Sequence, residues 1–305
     1  MGRARFLWLL LPLAGLFELG AFVHDARRAP RVEEWEALRA PLAALKRPGD
    51  LVLAAPDWAD PLLRHALGDS ILPIADAARA DDTGYRRALE IDALGETAPE
   101  VAAWPISEVR ASGRFRIRIR TNPAPANITY SFLEHATPEF LSAATLNGSN
   151  RQACTYTDHA QVTAGGLHGH LAFPRERFAC RGGEEYFVGV TILDDQEYRP
   201  RRCLWAHPPS SGVLSLHFSN VPIARKIYGY AGLSYFLFRD GGRPPVTLSA
   251  KVGGVEVGRY EHHDETGWHG FEFDTSSAAG QTADVDFEIQ AAPGDRQFCF
   301  YADTR

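Results

Sequence analysis

The sequence predicts an α+β multidomain chain: an N-terminal transmembrane helix, a small α/β domain, and a C-terminal antiparallel β-sandwich of jelly-roll type. Three observations predict it. An apolar run, Phe6 to Val23 (FLWLLLPLAGLFELGAFV), opens the chain, and patterns of buried strand and amphipathic helix alternate behind it. From Ile128 onward the texture changes to short β-type runs separated by Gly, Pro and Asp turns, and all four cysteines fall in that half.

The apolar run just reaches the ~20 residues a helix needs to cross hydrocarbon. Arg3 and Arg5 precede it. Leu19-Gly20-Ala21 matches a signal-peptidase site poorly, so residues 1–30 are expected to be retained as a signal-anchor. Glu18 within the run and Arg27, Arg28 and Arg31 after it weaken the vote of flanking charge on orientation. The cysteines decide it instead, because paired thiols belong to an oxidising compartment outside the cytoplasm.

Residues 31–123 are expected to form the α/β domain. Val32, Trp35, Leu38, Leu42 and Leu45 recur at three-to-four spacing, one apolar stripe of a helix over 31–47 that Pro48-Gly49 ends. LVLAA (Leu51 to Ala55) is continuously apolar, as in a strand covered on both faces. A second helix starts near Asp60-Pro61, with Asp60 as N-cap, and stops at Gly68. RALEIDA (Arg87 to Ala93) supplies another strand. RFRIRIR (Arg114 to Arg120) alternates strictly, with Phe115, Ile117 and Ile119 on one face and Arg114, Arg116, Arg118 and Arg120 on a solvated or anion-facing side. Thr121 to Pro125 reads as a linker.

The sandwich is expected over 128–305, with strands at Phe187–Leu193, Val213–Phe218, Leu233–Phe238, Val246–Val252, Val255–Tyr260, Gly267–Phe273, Val285–Ile289 and Phe298–Tyr301. Gly253-Gly254 is a hairpin turn. Asn147 to Gly183 reads as a long irregular loop. Of the three connectivities open to the four cysteines, Cys154 with Cys180 and Cys203 with Cys299 is the expected pairing.

Composition excludes some classes. A 305-residue chain with 45% hydrophobic and 23% charged residues is not disordered, and a net charge of −6 offers no long-range attraction for nucleic acid. No GxSxG, GxxxxGK[ST] or GxGxxG element appears.

The stretch GDLVLAAPDWADPLLRHALGD (Gly49 to Asp69), followed by YRRALEIDALG (Tyr85 to Gly95), resembles the soluble tail behind the transmembrane helices of polytopic, lipid-sugar-dependent bacterial glycosyltransferases. It is also similar to single-anchor bacterial envelope proteins that join such a tail to a β-sandwich. The resemblance covers roughly residues 6–125. Gly267-Trp268, Phe271, Phe273-Asp274-Thr275 and Phe298-Cys299-Phe300 with Asp303-Thr304-Arg305 resemble galactose-binding-like jelly rolls of carbohydrate-binding modules. These resemblances imply membrane lipid, a glycan or glycolipid, and a membrane glycosyltransferase as partners. Transferases of that class place their catalytic acids on loops between many transmembrane helices, which this chain lacks, so only the accessory tail is implied.

Candidate chemistry is sparse. Asp57, Asp60, Arg64 and His65 follow a buried strand, where α/β sheets place their sites, and are weak catalytic candidates; capping, ion pairing and, for Trp58, core packing explain this stretch better. His168-Gly169-His170 and His262-His263-Asp264-Glu265 place close neighbours on divergent sides, which suits solvated turns better than a metal. No cofactor is expected; a structural Ca²⁺ on Asp264 or Asp240 is the one ion the sequence admits. Tyr228, Tyr230, Tyr235, Trp268 and His269 are the candidate ligand-binding residues, as a platform for the C–H face of a sugar ring. The reading is a membrane-anchored extracytoplasmic glycan-binding or envelope-assembly protein, with a glycosyltransferase-associated enzyme or accessory as the alternative.

Overall fold

The computed structural model describes residues 4–160, 173–234, 242–264, 266–291 and 296–305, with side chains from Leu10 onward except Asp25. The chain divides into two compact units, Met1–Ala77 with Tyr85–Pro125, and Ala78–Gly84 with Ala126–Arg305. The division is not linear: segment 78–84, expected within the α/β domain, belongs with the sandwich.

Unit 1 begins with helix α1 (Ala4–Arg28), on which Leu11, Phe17 and Phe22 are at least 70% exposed. Among the described residues no helix is long and apolar enough to cross a membrane. The first part of the expected span, residues 6–9, lies outside the described side chains. The single helix expected over 31–47 is two, α2 (Val32–Glu36) and α3 (Arg39–Leu45). Pro41 has no N–H to donate to the Ala37 carbonyl, which interrupts the ladder there. Trp35, Leu38 and Leu42 are buried as the stripe requires, whereas Val32 is exposed.

Strand β1 (Asp50–Ala55) is buried throughout. A 3₁₀ turn at Asp57–Ala59 leads into α4 (Asp60–Leu67), so Asp60 is the first helical residue and Ala59, which has no capping side chain, holds the N-cap position. Trp58 is 55% exposed and is not core. Gly68, at φ 70°, ends the helix. After α5 (Ile74–Ala77) come β2 (Arg87–Asp92), β3 (Ile106–Ser112) and β4 (Phe115–Thr121), in the sheet order β1-β2-β4-β3. Only the β1–β2 pairing is parallel.

Phe115, Ile117 and Ile119 pack with Leu89 and Ile91 against Trp35, Leu38, Leu42 and Leu63. The opposite face was expected to be solvated or anion-facing, and it meets carboxylates. Arg118 and Arg120 are buried, because β2 sets Glu90 and Asp92 beside them: the register pairs Arg118 with Glu90 and Arg116 with Asp92. Arg120 Nε donates to Glu90 Oε2 at 2.6 Å, and Arg116 Nε to Asp92 Oδ2 at 2.7 Å. The Ala98 N–H donates to the other Glu90 oxygen at 2.7 Å, so the buried carboxylate is fully engaged. Arg114 and Arg116 remain about half exposed.

Unit 2 comprises β5 (Tyr130–Ser131), β6 (Leu141–Asn147), β7 (Asn150–Ala153), β8 (Thr155–Thr157), β9 (Arg177–Ala179), β10 (Phe187–Asp194) and β11 (Pro200–Ala206). It continues with β12 (Val213–Pro222), β13 (Lys226–Leu233), β14 (Val246–Val252), β15 (Val255–His262), β16 (His269–Asp274), β17 (Thr282–Ala291) and β18 (Phe298–Thr304). One sheet runs β16-β13-β18-β11-β10-β9-β8 with β5 added on β18, and the other runs β15-β14-β17-β12-β6-β7. From β11 the chain changes sheet at every connection except the β14–β15 hairpin, the crossing habit of a jelly roll. Leu216, Phe218, Leu248, Phe287, Phe298 and Phe300 fill the core between the sheets. Burying each such side chain is worth about 1.5–3 kcal/mol.

Gly253 and Gly254, at φ 56° and 83°, make the tight turn that the β14–β15 hairpin needs. Both expected disulfides are present, Cys154–Cys180 and Cys203–Cys299. One expectation fails. The stretch read as a loop over 147–183 carries β7, β8 and β9, because its polar short strands lack the apolar alternation that marks a half-buried one. Of the strand expected at Leu233–Phe238, residues 235–238 lie outside the described residues, and Leu233 is the last residue of β13.

Candidate functional site

The site is built on the outer face of the eight-stranded sheet of unit 2. Alternation along β13 sends Ile227 and Ala231 into the core and Tyr228 and Tyr230 outward. On the neighbouring β18 the same alternation sends Phe300 and Ala302 inward and Tyr301 and Asp303 outward, with Tyr301 directly opposite Tyr230. Trp268, just before β16, lies on the backbone of Gly232: a Cβ there would stand 2.7 Å from Trp268 Cε3. The bare glycine is what lets the indole settle onto the sheet.

The rings of Tyr230 and Trp268 are parallel, 6° between planes and 6.3 Å between centroids. The Tyr228 hydroxyl donates to that of Tyr230 at 3.1 Å. Segment 78–84 borders this row: Trp268 Nε1 donates to the Ala80 carbonyl at 2.9 Å. Arg305 Nη1 and Nη2 donate to Thr83 Oγ1 and Asp81 Oδ2 at 2.7 and 2.8 Å. The same guanidinium stacks 4.2 Å over Tyr228, and its Nε donates to Asp303 Oδ1 at 2.6 Å. Arg201 stands 5.9 Å over Trp268 and donates to Asp195 Oδ2 at 2.9 Å.

Burial pushes the Tyr230 phenol well above its ordinary range, reinforced by its bond to Tyr228. Burial and the Asp303 carboxylate do the same for Tyr301, which donates to Asp303 Oδ2 at 2.7 Å. Both phenols therefore stay neutral and able to donate. The arrangement combines half-buried aromatic faces, suited to apolar C–H surfaces, with a rim of hydroxyl, carboxylate and guanidinium groups suited to hydroxyls. Its carboxylates are held by guanidinium and phenol donors.

Of the residues expected from the sequence, Tyr228, Tyr230 and Trp268 come together. His269 does not join them: it is exposed and stacks on Tyr260 of β15, 6.3 Å and 3° away. Tyr235 lies outside the described residues. Asp81, Arg201, Tyr301, Asp303 and Arg305 were not expected as site residues; only Asp303 and Arg305 stand in a stretch that resembles a sugar-binding fold.

Asp57 and His65 are exposed, and Asp60 and Arg64 half-buried, on the 3₁₀ turn and α4 of unit 1. Among the described residues no group of three His, Cys, Asp or Glu side chains gathers as a metal site. His262 is buried and His263 exposed, as alternation requires, and buried Asp264 faces the buried Arg296 guanidinium. His168, His170, Asp240 and Glu265 lie outside the described residues.

No family model matches the chain, glycosyltransferase models included, and no curated protein is significantly similar to it. Among solved structures it is similar to the CBM51-2 and INT domains of Clostridium perfringens ZmpB, at 8% identity and TM-score 0.27, over 38% of this chain and 26% of that one. It is similar at 10% identity and TM-score 0.27 to the CBM51 of Clostridium perfringens GH95 in complex with methyl-galactose, over 38% and 81% of the two chains. A non-crystalline-cellulose-specific module, CBM28, matches at 10% identity and TM-score 0.26, over 38% and 79%. The chain spans about a quarter of the length of the ZmpB structures it matches.

Proposed function

We propose that this chain is a non-catalytic glycan-binding protein of an extracytoplasmic compartment, held at a membrane by α1 and serving the cell envelope. The observation that carries the reading is the outward row of Tyr228, Tyr230 and Trp268 beside Tyr301, Asp303 and Arg305. Aromatic faces take the axial C–H groups of a sugar ring, and the rim groups take its hydroxyls. Two disulfides support an oxidising compartment. The exposed apolar side chains of α1, among them Leu11, Phe17 and Phe22, support anchoring, since monomeric soluble surfaces rarely expose so many together.

The test is a glycan-array screen of the oxidised full chain in detergent micelles, followed by Tyr230→Ala and Trp268→Ala. Binding to a defined class of saccharide, lost in both variants, supports the reading. Silence across broad coverage removes it. No observation in the molecule favours the glycosyltransferase-associated alternative.

A further inference from the structure

Unit 1 holds a cavity of about 420 Å³ where the end of α1 meets the start of β4. Arg27, Arg28, Arg114 and Arg116 line it, with Asp92 and the Ala93–Gly95 turn. Four guanidinium groups thus share a concave space with a single lining carboxylate. That carboxylate is already engaged: Asp92 accepts from Arg116 and from the buried Arg118. Arg114 is aimed by its own contacts, donating to the Arg27 carbonyl at 3.2 Å and pairing with Glu34 at 3.2 Å. Arg27 and Arg28 are exposed and have no acidic partner among the described residues. Gly95, at φ 91°, is part of the lining.

We propose that this cavity binds a phosphoryl anion, a phosphate mono- or diester, through Arg27 and Arg28 with Arg114 and Arg116. Guanidinium is the side chain whose planar fork matches two phosphate oxygens at once, and convergence of several in one hollow is what such an anion requires. The volume falls within the usual size of a small-molecule site. The anion has two sources, a lipid headgroup or a soluble phosphate. Arg27 follows the exposed Phe22 by about 7–8 Å of helix rise, so an apolar α1 seated in lipid brings the cavity to headgroup depth. The inference is independent of glycan binding, which concerns unit 2.

The experiment titrates the full chain in nonionic detergent micelles by calorimetry with two probes: inorganic phosphate, and the same micelles doped with phosphatidylglycerol. The expected result is saturable binding of at least one probe, weakened by added salt and about tenfold or more weaker in the double variant R27Q/R28Q. Response to phosphate identifies a soluble ligand, and response to the doped micelles alone identifies a lipid. The Arg114 contact to the Arg27 backbone survives in R27Q/R28Q; Arg116→Gln, which leaves Asp92 paired to Arg118, is the second variant, with the same loss expected. Absence of saturable binding by both probes, or unchanged binding in both variants, overturns the proposal.

Discussion

Arg305 and Asp81 stand 224 residues apart in the sequence and meet at 2.8 Å on the outer face of the sandwich. The same guanidinium serves Asp303, whose side chain is fully buried, and stacks on Tyr228. This ties segment 78–84 and β18 into one side of the aromatic site.

Removing that guanidinium leaves Asp303 a buried, uncompensated charge. Arg305→Met is therefore expected to lower stability by about 3–5 kcal/mol. Arg305→Lys keeps the charge but loses the fork, and should fall between the two. Denaturant titration of the three proteins checks the order. Equal stability of wild type and Arg305→Met would show that the cluster is not coupled to folding.

The arginines of β4 should separate by burial. Arg120→Met removes the 2.6 Å donor to Glu90, which keeps Arg118 at 3.4 Å and the Ala98 N–H, and is expected to cost about 1.5–3 kcal/mol, whereas the half-exposed Arg116 should cost under about 1 kcal/mol on the same change. If the two variants unfolded at the same denaturant concentration, the buried ladder would be wrong.

Acid should weaken unit 2 through His262. Burial lowers its pKa to about 4, helped by Arg296, His269 and His263 and opposed by Asp264. The unfolded chain, with an ordinary value near ~6.5, then binds more protons than the folded one between those limits, so stability rises with pH across that window. The contribution is full above ~6.5 and is lost as pH falls toward 4, roughly 3 kcal/mol in all. Thermal midpoints at pH 7 and 4.5 should differ more for the wild type than for His262→Leu. The same pH sensitivity in both proteins would assign it to other groups.

Reduction should act unequally on the two disulfides. Cys203–Cys299 closes 96 residues and Cys154–Cys180 closes 26. By loop-closure entropy the first is worth about 4.7 kcal/mol and the second about 3.5 kcal/mol. Paired Cys→Ser variants, compared by denaturant titration, read the difference directly. The larger loss is expected for the Cys203/Cys299 pair.

Legibility followed the range of the interaction. Phe115, Ile117 and Ile119, the Gly253-Gly254 turn and the stop at Gly68 were readable because strand alternation and backbone φ are local properties. The burial of Arg118 and Arg120 was not, since their partners Glu90 and Asp92 sit about a strand-and-turn earlier and only the β2–β4 register brings them alongside. The break between α2 and α3 escaped the apolar stripe, which continues across it, because the stripe does not register the N–H that Pro41 lacks. In the site, Tyr228, Tyr230 and Trp268 stood out by residue type. Asp81 could not, because nothing near it in sequence indicates that segment 78–84 departs from unit 1 to meet Arg305.

The central claim is that the outer face of the eight-stranded sheet binds sugar through its aromatic row. Gly232→Ala tests it without removing an aromatic group, since the added methyl displaces Trp268 from its seat. Calorimetric titration with the saccharide identified by array should show wild-type binding, and a loss of about tenfold or more in Gly232→Ala and Tyr230→Ala alike. Undiminished binding in both variants, with the fold intact, would place the sugar elsewhere and contradict the account.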